Sequence, residues 1–428
     1  MKFSLPLSAA ILLSMPVTSS IIGRTGHGPA PATTFASANG AQSADIAQDE
    51  DNSLAGRENP CAAPNEITGP IAETAWRIWV AATCPVNQNE YPFVVWENWL
   101  EQAQMYPLNP AKVLKVPNSL AKTTASPRLL HASPLALVKN PGLGITVPGL
   151  LGGADQNCNA ASIPPKDQPK LVICEEVREG GSTEDYIAGT NIWNRRGQMQ
   201  LASTRGEIQF PKSSVEIKAD WIELSSIGLS CDTLPPGFRN SIHVEMINGN
   251  CFALAGMHLI SKLLDKWIWA TFEPQNSITN PNRCKVLGCR DVFGSMPVTT
   301  KGASTQLTPQ LDSLMTAAHL APEWKNYRLD AVQIHFVGEG GNPTLLGNSI
   351  IEGENAGVPL KESSCISCHA VSSVKSDGTD GIKFLNTINP VGYPEPLPSS
   401  QWIRRDFVWS LFLACPVPPG SSSQACTP

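Results

Sequence analysis

Val215-Glu216-Ile217-Lys218-Ala219-Asp220-Trp221 alternates apolar and charged side chains without a break. Successive side chains of a strand point to opposite faces, so this period of two predicts a strand that buries Val215, Ile217, Ala219 and Trp221. Toward the C-terminus, residues 242–247 and 252–260 read as further strands, and Trp267-Ile268-Trp269-Ala270-Thr271-Phe272 has the bulky, aromatic content of another. The connections between them are short, which argues for antiparallel pairing, since a parallel pair needs a long crossover. Toward the N-terminus, Ile71, Ala75, Ile78, Trp79 and Ala82 recur at helical spacing, Trp96, Trp99 and Leu100 suggest a second, shorter helix, and residues 311–320 read as another. The expected fold is therefore α+β, a central antiparallel β-sheet with flanking helices.

Composition bounds the function classes. The 428 residues are 42% hydrophobic and 16% charged, with 37 prolines and 33 glycines, which suits a loop-rich globular body. A net charge of −6 and the lack of any basic tract argue against a nucleic-acid binder. Lys2, an apolar run from Phe3 to Val17 and small polar residues behind it predict a signal peptide over residues 1–20, too short and too proline-interrupted for a membrane span. No integral membrane span is expected after its removal, and the chain is expected to be periplasmic or secreted. Residues 21–60, rich in Ala, Ser, Thr, Gly and Pro, read as a disordered linker. A body over residues 61–335, a C-terminal segment over 336–415 and a flexible tail over 416–428 follow; the proline-rich stretch 107–169 has no readable period.

Twelve cysteines fit an oxidising compartment. Proximity in sequence suggests the pairs Cys61 with Cys84, Cys231 with Cys251, Cys284 with Cys289 and Cys415 with Cys426. The remaining chemistry is concentrated at Cys365-Ile366-Ser367-Cys368-His369. Cys-x-x-Cys-His is the order that covalent haem attachment requires: two thiols on one side of a helical turn add to the haem vinyl groups, and the adjacent imidazole binds iron. Haem c on Cys365, Cys368 and His369, with His369 as the proximal ligand, is the expected cofactor, so residues 336–415 become its helical binding segment. A thioredoxin-type pair would need a βαβ context and a zinc site would need further ligands. After His369 there is neither methionine nor histidine, so a distal ligand from the side chains usual for haem must come from upstream. His258 or Met257 are the first candidates, and as strand neighbours only one of them can face the haem. Met246, Met315, His319 and His335 are the others, and Glu273 is a candidate distal acid.

Several stretches together resemble a family of exported bacterial c-type cytochromes of largely unassigned function. They are Ala75 to Ala81, Val95 to Trp99, Val215 to Trp221, Gly256-Met257-His258-Leu259-Ile260-Ser261-Lys262, Trp267 to Glu273, Asn348 to Glu352 and Asp406 to Trp409. The chain departs from that family at Pro274, where a histidine commonly stands, and in the longer stretch Glu354 to Pro359 before the haem motif. A ligated haem buried by the sheet points first to periplasmic electron transfer to an unidentified redox partner; the alternative is a haem enzyme or small-ligand sensor with an open distal position. A binding surface lined by Trp193, Trp221, Trp267, Trp269 and Trp324 is a third possibility.

Overall fold

The computed structural model describes residues 59–86, 93–106, 171–275, 291, 293–295, 305–375, 379–381, 384, 391–393 and 402–414. These lie in one compact unit, Arg57–Pro428. The expected signal peptide, most of the linker, the 107–169 stretch, the tail and the pairs Cys284/Cys289 and Cys415/Cys426 lie outside the described residues.

Helix α1 (Ile71–Thr83) leads into a 3-10 turn, Val95–Asn98, and a two-residue strand β1 (Leu100–Glu101). The second helix expected around Trp96 is thus a single tight turn, with Glu97 Oε2 accepting from the Val94 N–H at 2.8 Å. Strand β2 (Ile173–Glu179) is followed by helices Gly181–Gly189 and Arg195–Arg205, then β3 (Val215–Glu223), β4 (Val244–Ile247), β5 (Asn250–Ser261) and β6 (Ile268–Pro274). The helix expected at 311–320 is Pro309–Ala317, capped by Thr308 Oγ1, and β7 (Tyr327–Gln333) completes the sheet. The seven strands run β1-β2-β3-β5-β6-β7, with β4 pairing β5, and every pairing is antiparallel. The α+β class and the antiparallel sheet are as expected.

The register gives the sheet two chemically different faces. Ile217, Ala219, Trp221, Met257, Leu259, Ile268, Ala270 and Phe272 form one, packed beneath α1. Trp79 stacks on Phe272 with ring centroids 4.2 Å apart and Trp76 meets it edge-on, the geometries aromatic pairs favour. Glu175 and Glu179 on β2, Glu216, Lys218 and Asp220 on β3, His258 on β5, and Thr271 and Glu273 on β6 form the other. The alternation at Val215 to Trp221 predicts one buried face, yet Glu216 and Asp220 are buried too. Burial of polar groups is tolerable when they are paired. Here Lys218 Nζ meets Glu175 at 2.7 Å, and Asn355 Nδ2 donates to Asp220 at 2.6 Å.

The cover over the polar face is the C-terminal segment. A π-helical turn, Ser349–Asn355, is set down by Glu273, which accepts from the Ser349 N–H and Oγ–H at 2.5 and 2.7 Å. Wide turns of this kind accommodate extra residues and recur at functional sites. The short helix Cys365–His369 follows, then the paired strands Ser373–Lys375 and Trp402–Arg404. Disulfides join Cys61 to Cys84 and Cys231 to Cys251, as expected, and Cys174 is disulfide-bonded as well.

Candidate functional site

Helix Cys365–His369 is one turn long, and its position is fixed by polar contacts from β7. The Ile366 N–H donates to Gln333 Oε1 at 2.9 Å, and Gln333 Nε2 donates to Ser364 Oγ at 2.9 Å. Ser367 Oγ donates to the Gly392 carbonyl at 2.5 Å. Ile366 and Ser367 are therefore buried, whereas Cys365, Cys368 and His369, at helical spacing on the opposite side, are half-buried. Both cysteines are reduced thiols. Cys365 Sγ donates to the Leu346 carbonyl at 3.5 Å, and burial, with Glu352 nearby, pushes its pKa well up. The turn follows a 3-10 turn, Leu360–Glu362, and sits on an antiparallel sheet, which is not the βαβ setting of a thioredoxin-type pair.

His369 is held by one bond. Its Nδ1–H donates to the Phe407 carbonyl at 2.8 Å, which leaves Nε2 without a partner among the described residues. The ring also lies against Trp269, centroids 4.5 Å apart. Burial, joined by the positive charges of Lys218 and His258, lowers its pKa to about 3, so the imidazole stays neutral. A neutral ring with one nitrogen tied to a carbonyl is what metal ligation by histidine requires. The Phe407 carbonyl is delivered by a strained loop: Asp406 and Phe407 have φ of 52° and 69°. That loop is over-determined by Asp406, whose Oδ1 takes Lys262 Nζ at 2.6 Å, Oδ2 takes the Phe210 N–H at 2.8 Å, and carbonyl takes Trp267 Nε1 at 2.8 Å.

His258 lies on the same side of the sheet. Its Nε2 faces both oxygens of Glu352, at 2.9 and 3.1 Å, while its Nδ1 is buried and has no hydrogen-bond partner. The ligating atoms of His258, Glu352 and Cys365 lie within 4.8 Å of one another. Burial works to raise the Glu352 pKa, but His258, Lys218 and the Asn348 N–H, which donates at 2.6 Å, outweigh it and hold it at about 2. Asn348 is set in turn by its Nδ2, which donates to Thr271 Oγ1 and the Phe272 carbonyl, and it caps the π-helical turn through Oδ1. Gly256 makes room for it, because a Cβ there would come within 2.5 Å of Asn348 Oδ1.

The other upstream candidates are elsewhere. Met257 points to the opposite face and is fully buried beneath α1. Met315 packs in that same core, Met246 is 57% exposed on β4, and His319 and His335 are exposed. Glu273 positions the π-helical turn. Trp193, Trp221, Trp267, Trp269 and Trp324 are all buried, so they do not form an exposed binding surface.

Glu352, Asn348, Gly256 and the Phe407 carbonyl shape this arrangement, and their residue types and spacing carry no chemical signature. Asn348 is of a type favoured at helix N-caps, which is a local signal for it, whereas nothing local marks Glu352. Comparisons of the chain with protein-family models, with curated proteins and with solved structures give no match.

Proposed function

We propose that the chain is an exported c-type cytochrome that binds one covalent haem c and passes single electrons to a redox partner protein. The observation that carries this reading is the Cys365–His369 turn, which presents two reduced thiols and a neutral imidazole on one half-buried side, the ring tethered by the Phe407 carbonyl. These residues fit the group: Cys365 and Cys368 would hold it through thioethers and His369 Nε2 would be the proximal ligand. When bound, haem supplies a one-electron iron couple. The protein's part is to fix His369, to bury one side of the site against the polar sheet face, and to offer a second imidazole. His258 would be the second histidine to hold the iron: Glu352 engages its Nε2, and its Nδ1 is buried and unpartnered. A carboxylate behind a ligating histidine fixes its orientation and raises its basicity. The disulfides support a periplasmic or secreted location.

A second reading is a haem enzyme or small-ligand sensor with an open distal position. It is favoured by the same His258–Glu352 contact, since a histidine and a carboxylate in hydrogen-bond contact can move a proton at a bound substrate. Absorption spectra of the loaded protein separate the two. Two-histidine ligation predicts a low-spin spectrum, converted by His258→Ala to a high-spin form that binds carbon monoxide rapidly, with Met257→Ala without effect on coordination. A wild-type protein that is already high-spin, or a His258→Ala spectrum indistinguishable from wild type, would overturn the assignment of His258.

A further inference from the structure

On the α1 side of the sheet, away from the Cys365–His369 turn, three segments far apart in sequence bring charged side chains to one imidazole. His243 stands just before β4, Glu245 within it, Glu97 in the turn after α1, and Glu323 just before Trp324. Glu97 Oε1 and Glu245 Oε1 lie 3.1 and 3.0 Å from the same nitrogen, His243 Nε2, and the three ligating atoms fall within 4.8 Å of one another. A single N–H cannot point well at two oxygens. Glu323 Oε1 lies 4.0 Å from the other ring nitrogen, Nδ1. The ring itself is fixed by stacking on Trp324, centroids 4.5 Å apart, and Glu97 is pinned through its second oxygen by the Val94 N–H. Glu97 is buried, whereas Glu245 retains 27% side-chain exposure.

We propose that His243, Glu97 and Glu245 form a binding site for a divalent transition-metal ion. One imidazole nitrogen and two carboxylate oxygens make an N/O donor set suited to zinc, manganese or iron(II), with no sulfur. Glu323 adds negative charge on the Nδ1 side without reaching hydrogen-bond distance. Partial exposure of Glu245 provides the route of entry. The competing arrangement, an imidazolium shared among the carboxylates, needs no ion and is decided by the same experiment.

The test uses the full chain, stripped of metal with chelator and titrated with Zn²⁺ by calorimetry, with X-ray absorption on the zinc form. The proposal expects one zinc per chain at this site and a shell of nitrogen and oxygen donors at about 2.0–2.2 Å with an imidazole signature. It also expects at least tenfold weaker binding in Glu245→Gln, and unchanged binding in Cys365→Ala/Cys368→Ala. His243→Ala removes a buried group and can unfold the protein, so the partly exposed Glu245 is the informative position, and the absorption spectrum of the unmodified protein is independent of any variant. Absence of zinc binding, sulfur in the shell, or equal affinity in folded Glu245→Gln would overturn it.

Discussion

Gly256 and Asp406 bear more on the site than their neighbours in sequence suggest. Adding a methyl at Gly256 drives Asn348 from its position, and Asn348 both caps the π-helical turn and donates its N–H to Glu352. Gly256→Ala is expected to lower stability by about 1–3 kcal/mol in chemical denaturation, the cost typical of overpacking. In loaded protein it should also disturb His258 coordination before it disturbs attachment. Asp406 is 8% exposed and holds the loop that tethers His369. Asp406→Ala leaves Lys262 with a lost buried partner, so a loss of about 3–5 kcal/mol is expected, and Asp406→Asn, which can still accept from Phe210, should lose less. A melt unchanged by Asp406→Ala would show that the loop is held by other means.

Between elements, the β2–β3 pairing places Glu179 directly across from Glu216 in the buried polar face. Burial raises both carboxyls, Glu216 to about 7, with Ser410 Oγ donating to Glu216 at 3.3 Å. Their folded-state pKa values thus lie above the unfolded value of 4.5. A raised pKa means that the stabilisation is fully present below the unfolded value and is lost as pH rises through the folded value. Stability should therefore fall as pH rises from about 4.5 through 7, the two carboxyls acting as one coupled pair. Glu216→Gln should flatten that part of the pH–stability curve in urea titrations, and a curve of the same slope in the variant would contradict the pairing. The same strands mark how far the sequence can be read. β3 was legible because its polar residues alternate strictly. β2 was not, because Glu175, Glu176, Arg178 and Glu179 interrupt any apolar run, although the whole strand is buried. Arg178 is satisfied by tertiary partners, its Nη1 donating to the Glu97 and Trp99 carbonyls at 2.8 and 2.7 Å, which no local pattern announces.

Over the whole molecule, the antiparallel sheet and the Cys365–His369 turn could be read because both signals are local. The partners of that turn could not: His258 and Glu352 are 94 residues apart, and His369 and Phe407 are 38 apart. Strand alternation established only that His258 and Met257 face opposite ways; the register and the position of α1 decide that Met257 belongs to the core. The disulfides bear on the molecule as a unit. Removing Cys231–Cys251, with a sequence separation of 20, by paired substitution to alanine should cost about 3 kcal/mol, read as a lower denaturation midpoint.

Cys365 and Cys368 either carry haem through thioether bonds or they do not. The most direct measurement is a pyridine haemochrome spectrum of the full chain, matured with a periplasmic haem-attachment system and denatured to strip any non-covalent haem. One covalent haem c per chain is predicted, lost in Cys365→Ala/Cys368→Ala. A protein that emerges without covalent haem under conditions in which a control cytochrome is loaded would contradict the account.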